Sequence, residues 1–158
     1  MKILAFDIGG TEIKYGIFDE NFNLSEKNSV PTNAHEGGKR IVERIIEITK
    51  SLGGADRIGI STAGQVNSEK GEIIFATETL PGYTGMKIKE IIEAETGIPT
   101  AVENDVNSAA IGEAAFGAAK GCENFICLAY GTGIGGAIFL DGKLYSGSSF
   151  SAGELGHM

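Results

Sequence analysis

The stretch DIGGTEIKYG, residues 7–16, follows the apolar start MKILAF and runs on into Ile17 and Phe18. Two apolar, strand-like runs, 2–8 and 13–18, are joined by a loop with Gly9, Gly10 and Thr11, with Asp7 in front and Lys14 behind. A hairpin needs only two turn residues, such as Asn-Gly. This loop carries more polar equipment than turning requires. Glycines let backbone N–H groups approach and face a phosphate, and Thr11 adds a hydroxyl. Further on, Gly131-Thr132-Gly133-Ile134-Gly135-Gly136 repeats the arrangement between the apolar runs 125–130 and 137–140. Two such half-sites could grip one polyphosphate from opposite sides. Gly makes up 24 of 158 residues, about twice the usual ~7 %, and clusters in tight loops.

The rest of the pattern predicts an α/β fold with a mixed sheet. A third strand is expected over 24–30, so that the chain opens with an antiparallel meander. Apolar residues at helical spacing predict a helix over 38–52, and a second helix over 88–96 stops at Gly97 and Pro99. Short strands are expected at 57–61, 72–76 and 100–103, an Ala-rich helix at 107–120 and a hairpin turn at Asp141-Gly142. Strands alternating with helices after a meander give the mixed sheet. A second unit begins near 118, so the expected division is 1–117 for the first lobe and 118–158 for the start of another, interrupted one.

The net charge is −8 and no Lys/Arg cluster stands out, which argues against a nucleic-acid partner. An acidic chain can still hold a nucleotide through backbone N–H groups and a metal. No apolar run approaches the ~20 residues of a membrane span, and no signal peptide is read ahead of the first strand. Cys122 and Cys127 lack C-x-x-C spacing and are read as structural. These features point to a reducing cytoplasm.

Three further clusters carry chemistry. Glu103-Asn104-Asp105-Val106-Asn107 lies at a strand end before a helix. A carboxylate there can take a proton from a substrate hydroxyl, but Asp and Asn are also ordinary helix caps, and on its own the cap is the better reading. Glu154-Leu155-Gly156-His157 pairs a carboxylate with an imidazole, suited to a polyol or a metal and weak alone. Ser61-Thr62-Ala63-Gly64 and Leu80-Pro81-Gly82-Tyr83 are loops with backbone groups available to a ligand.

Taken in order, DIGGTEIK, ISTAG, LPG, ENDVN, GTGIGGA and AGELGHM resemble the ROK family of sugar kinases, within the actin-like ATPase (ribonuclease H-like) superfamily. Each motif is weak alone; the ordered set is specific and covers the whole chain. The resemblance implies an ATP-dependent, glucokinase-like hexose kinase, a phosphotransferase using ATP and Mg2+, with Zn2+ in the full-length protein. Gly9, Gly10, Thr11 and Lys14 would face the ATP phosphates, with Asp7 near magnesium through water. Gly131, Thr132, Gly133, Gly135 and Gly136 would hold phosphates from the other lobe. Asp105 would be the catalytic base. Gly64, Asn104, Asp105, Glu154 and His157 would bind the sugar, and His157 would also ligate zinc. The partners implied are a small-molecule sugar and ATP, in a homodimer.

Two departures stand out. Where the family often has S-x-P-G, this chain has Ser61-Thr62-Ala63-Gly64, and loss of the Pro should loosen the loop. The family's other zinc ligands and its adenosine-binding part lie downstream of Met158, so these 158 residues alone are expected to be inactive. N-acetylmannosamine, N-acetylglucosamine, fructose and β-glucosides remain open as acceptors beside glucose. A ROK transcriptional repressor or sugar sensor is disfavoured, because strand one begins at Lys2 with no helix-turn-helix ahead and the chain is acidic. An actin-like assembly or chaperone ATPase is disfavoured by ENDVN and GELGH, which suit a polyol.

Overall fold

A computed structural model describes residues 1–131 and 133–154. The expected meander is present: β1 (Ile3–Ile8), β2 (Glu12–Phe18) and β3 (Leu24–Pro31) pair antiparallel in sequence order. After helix α1 (Gly38–Ser51) the chain returns as β4 (Arg57–Thr62), which lies parallel to β1. With β7 (Thr100–Asn104) this completes a mixed five-stranded sheet ordered β3-β2-β1-β4-β7. Between β4 and β7 come a two-stranded ribbon, β5 (Gln65–Asn67) and β6 (Glu72–Phe75), and helix α2 (Ile88–Thr96). Strand β5 is too short, with one apolar residue between two polar ones, to announce itself as a period-2 run. Its Val66 is nonetheless buried with Ile73 of β6.

Burial follows the two periods. Along β1, Leu4, Phe6 and Ile8 are buried while Asp7 is exposed, as strand alternation requires. In α1, Ile41, Val42, Ile45 and Ile46 form the buried stripe. They join the strand residues, and Ile88 and Ile92 of α2, in one core. No helix among the described residues is long and apolar enough to cross a membrane.

The chain separates into two compact units, the first Met1–Glu103 and the second from Asn104 onward. The second contains α3 (Asp105–Phe116) and a three-stranded antiparallel sheet of β8 (Phe125–Tyr130), β9 (Ile134–Leu140) and β10 (Lys143–Leu144). Compactness thus groups α3 with the hairpin that follows, whereas the sequence reading places it in the lobe ending at 117. Ala110 of α3 is buried with Ala137 and Phe139 of β9, and the Phe125 and Phe139 rings stack at 4.6 Å. Ile126, Leu128 and Tyr130 alternate with the residues facing this core and are exposed.

Two boundaries differ from expectation. Helix α3 occupies Asp105–Phe116 and not 107–120, because Asn104 caps it two residues earlier. At its other end the Glu113 carboxylate accepts the Ala118 N–H at 2.7 Å, as the chain leaves the helix at Gly117. Strand β9 starts at Ile134, so residues 134–136 of the expected loop 131–136 belong to the strand. Gly135 and Gly136 lie within the ladder, opposite Ala129 and Leu128. The Asp141-Gly142 turn has φ of 52° and 71°, the paired left-handed conformation of a type I′ hairpin.

Candidate functional site

In the first unit, Asp7 sits near the end of β1, directly across from Lys14 on β2 and Ser61 on β4. Cross-strand partners share a sheet face, so the three polar side chains stand in one row. The Ser61 hydroxyl donates to Asp7 Oδ1 at 3.0 Å. No local signal in the sequence links Ser61 to Asp7, since the two lie 54 residues apart and meet only through the pairing of β1 with β4.

The row leads into the 9–11 turn. The Gly9 N–H donates to the Glu12 carbonyl at 2.9 Å and closes the hairpin. From just beyond β3, the Thr32 N–H donates to the Thr11 carbonyl at 2.8 Å and the Thr32 hydroxyl to the Gly9 carbonyl at 2.7 Å. These carbonyls are thereby turned inward. Gly10 and Thr11 are exposed, and among the described residues no hydrogen bond reaches their N–H groups. A Cβ built on Gly10 would meet nothing within 4 Å, and its φ is not left-handed. The chain itself therefore does not require glycine there, whereas a ligand approaching the backbone would.

The expected 61–64 loop is half strand: Ser61 and Thr62 end β4, and the chain bends at Ala63 and Gly64. Thr62 Oγ1 and the Tyr83 hydroxyl share a hydrogen bond of 2.9 Å, and both residues are fully buried. Burial pushes the Tyr83 phenol well above its ordinary range, only partly opposed by the Thr62 bond. Gly64 has φ of +101°, and a Cβ there would stand 2.8 Å from the Phe75 carbonyl oxygen.

In the second unit the cap question is decided by geometry. Asn104 Oδ1 accepts the N–H groups of Val106 at 2.9 Å and Asn107 at 3.1 Å, so Asn104 is the N-cap of α3. Asp105 is the first helical residue and is exposed, its Oδ1 also accepting the Val106 N–H at 2.9 Å. Helix α3 is seated by Gly135: a Cβ at that position would collide with the Val106 side chain. Gly135 thus has a packing reason to be glycine, and Gly136 is buried in β9. Gly131 and Gly133 are exposed with open space at the Cβ position, and the Gly131 N–H donates to the Gly133 carbonyl at 2.9 Å. Gly153 packs on the Gly136 carbonyl, too close for any Cβ, which places exposed Glu154 next to β9. Thr132 and His157, both singled out by sequence, lie outside the described residues. Among the described residues no three His, Cys, Asp or Glu side chains gather to hold a metal.

A family model described as ROK family matches residues 3–158. An uncharacterized protein of Clostridium perfringens is 48% identical over 157 residues, which span 98% of this chain and 53% of that protein. A beta-glucoside kinase of Listeria monocytogenes is 37% identical over 158 residues, spanning 100% of this chain and 53% of the kinase. Among solved structures, a ROK family glucokinase from Streptomyces griseus in complex with glucose and AMPPNP has a TM-score of 0.87 and 34% identity. The match covers 100% of this chain and 50% of that one. The chain spans about half the length of the curated relatives it matches.

Proposed function

This chain belongs to the ROK family, and from that premise we propose that its 158 residues form the N-terminal half of an ATP-dependent sugar kinase. The reaction transfers the γ-phosphoryl group of ATP to a hexose hydroxyl. The observation that carries the reading is the exposed 9–11 turn, its carbonyls bound inward and its Gly10 and Thr11 N–H groups uncommitted among the described residues, beside Asp7, Lys14 and Ser61. Exposed turn N–H groups without a protein acceptor suit a phosphate. A ROK relative whose structure holds glucose and an ATP analogue supports both substrates.

In this reading Gly9, Gly10, Thr11 and Lys14 bind ATP phosphates, and Gly131, Thr132 and Gly133 are the second phosphate-binding group. Asp105 takes the proton of the attacking hydroxyl, while Gly64, Asn104, Glu154 and His157 hold the sugar. Asn104 Oδ1 also caps α3, so the same side chain anchors the helix that carries Asp105. Phosphoryl transfer depends on positioning and charge stabilisation, with one base orienting the nucleophile. The exposed Asp7 carboxylate fits magnesium, which binds through one or two carboxylates, substrate phosphates and water. Magnesium, when bound, neutralises charge on the phosphates. A structural zinc needs four ligands, and the resemblance points to His157 with the others downstream, so no step is assigned to it. Half a cleft leaves most of the positioning unrealised, so activity belongs to the two-lobed protein, read as a cytoplasmic homodimer.

Glucose is the first choice of acceptor, with a β-glucoside as the runner-up given the Listeria relative. The test is ATP consumption by the two-lobed protein against a panel of hexoses, N-acetylhexosamines and β-glucosides. Turnover that requires one of these sugars is expected. ATP consumption indifferent to every sugar would overturn the kinase reading.

A further inference from the structure

We propose that Thr32 is a positioning residue for the nucleotide phosphates, holding the 9–11 turn in its phosphate-accepting orientation. The inference rests on the reading of that turn as a phosphate site.

Thr32 is fully buried, and both of its donors go to the turn. Its hydroxyl binds the Gly9 carbonyl and its N–H binds the Thr11 carbonyl, on either side of Gly10. The Gly9 carbonyl and the Gly10 N–H belong to one planar trans peptide, so they point in opposite directions. Drawing the Gly9 oxygen inward therefore aims the Gly10 N–H outward. The hairpin does not need this latch to form. Strands β1 and β2 pair along their whole lengths, and the Gly9 N–H to Glu12 carbonyl bond already closes the turn. What the latch adds is the orientation of one peptide plane between two residues free of side-chain bulk.

Thr32 is itself braced. From α1, Arg44 Nη1 donates to the Thr32 carbonyl at 2.6 Å and to the Pro31 carbonyl at 3.2 Å. Arg44 Nη2 pairs with Glu36 Oε2 at 2.8 Å, and the Arg44 side chain is only 15% exposed. The chain of contacts runs from α1 through Thr32 to the peptide that would meet a phosphate.

The test uses the two-lobed kinase and compares Thr32→Val, Thr32→Ser and Gly10→Val. Val keeps the branched shape and removes the hydroxyl; Ser keeps the hydroxyl. The readouts are the Kd of Mg·ADP by calorimetry, KM for ATP, KM for sugar, and Tm. Expected is a Kd and an ATP KM raised about tenfold in Thr32→Val, a sugar KM within about twofold, and near-complete rescue in Thr32→Ser. If Thr32→Val does not fold, Arg44→Met, which unbraces Thr32 from a helix surface, should raise the Kd in the same direction by about threefold. An unchanged Kd in Thr32→Val, or in Arg44→Met where that variant stands in, overturns the inference. If Gly10→Val still weakens Mg·ADP in that case, the phosphate reading of the turn survives. If Gly10→Val also leaves Mg·ADP binding unchanged, both fall.

Discussion

Asn104 and Asp105 are adjacent and chemically alike; the structure makes Asn104 the cap of α3, the proposed mechanism makes Asp105 the base, and two substitutions test that separation. Asn104→Ala removes an acceptor shared by two helical N–H groups, at 2.9 and 3.1 Å. Loss of such a cap costs about 1 kcal/mol. For a domain of this size that corresponds to a Tm lower by roughly 2–4 °C. Asp105→Asn keeps an oxygen able to accept the Val106 N–H, now at 2.9 Å, and removes a charge from the first helical turn. That charge is worth about 0.3–1 kcal/mol to the helix. Its value to turnover is of another order. A positioned general base contributes at least ~100-fold, equivalent to about 2.7 kcal/mol of barrier. The assays are urea unfolding and coupled ADP release by the two-lobed kinase, with glucose or whichever sugar the panel selects. Asp105→Asn should lower kcat at least ~100-fold with nearly unchanged ATP affinity and stability. Retention of kcat within ~10-fold by Asp105→Asn would show that the carboxylate is not the base and that the assignment is wrong.

Two further outcomes follow from the loop beneath Ser61. The Tyr83 phenol is raised in the folded state, so above its ordinary value of about 10 the unfolded chain releases a proton that the folded chain keeps. Stability should therefore be fully retained below pH ~10 and fall above it by up to about 1.4 kcal/mol per pH unit; Tyr83→Phe should remove that component in unfolding measured from pH 8 to 11.5, and parallel profiles would contradict it. Gly64→Ala forces a side chain onto a φ of +101° and against the Phe75 carbonyl oxygen, so it should cost at least ~1–2 kcal/mol in urea unfolding, with an unchanged midpoint as the contrary result.

What the sequence determined by itself is local. Alternation in MKILAFDI placed Asp7 on the exposed side of a strand between buried Phe6 and Ile8, because strand period is set within a few residues. The meander, α1, α2, β8 and the Asp141-Gly142 turn were legible for the same reason. Tertiary structure decided what depends on partners far along the chain. The parallel register of β1 and β4 sets Ser61 opposite Asp7 across 54 residues, and no local period carries that information. Whether Asn104 or Asp105 caps α3 turned on which side chain reached the free N–H groups, since both are cap-forming residue types. Gly135 reads as loop in sequence, yet it pairs with Ala129 of β8 in the ladder, and the Val106 side chain of α3 occupies the space a Cβ there would need. Thr32, outside every motif, reaches Gly9 and Thr11 because β3 pairs with β2 and delivers the chain to the turn. Glycine and strand period fix where a loop occurs; the packing of distant segments fixes which of its groups face out.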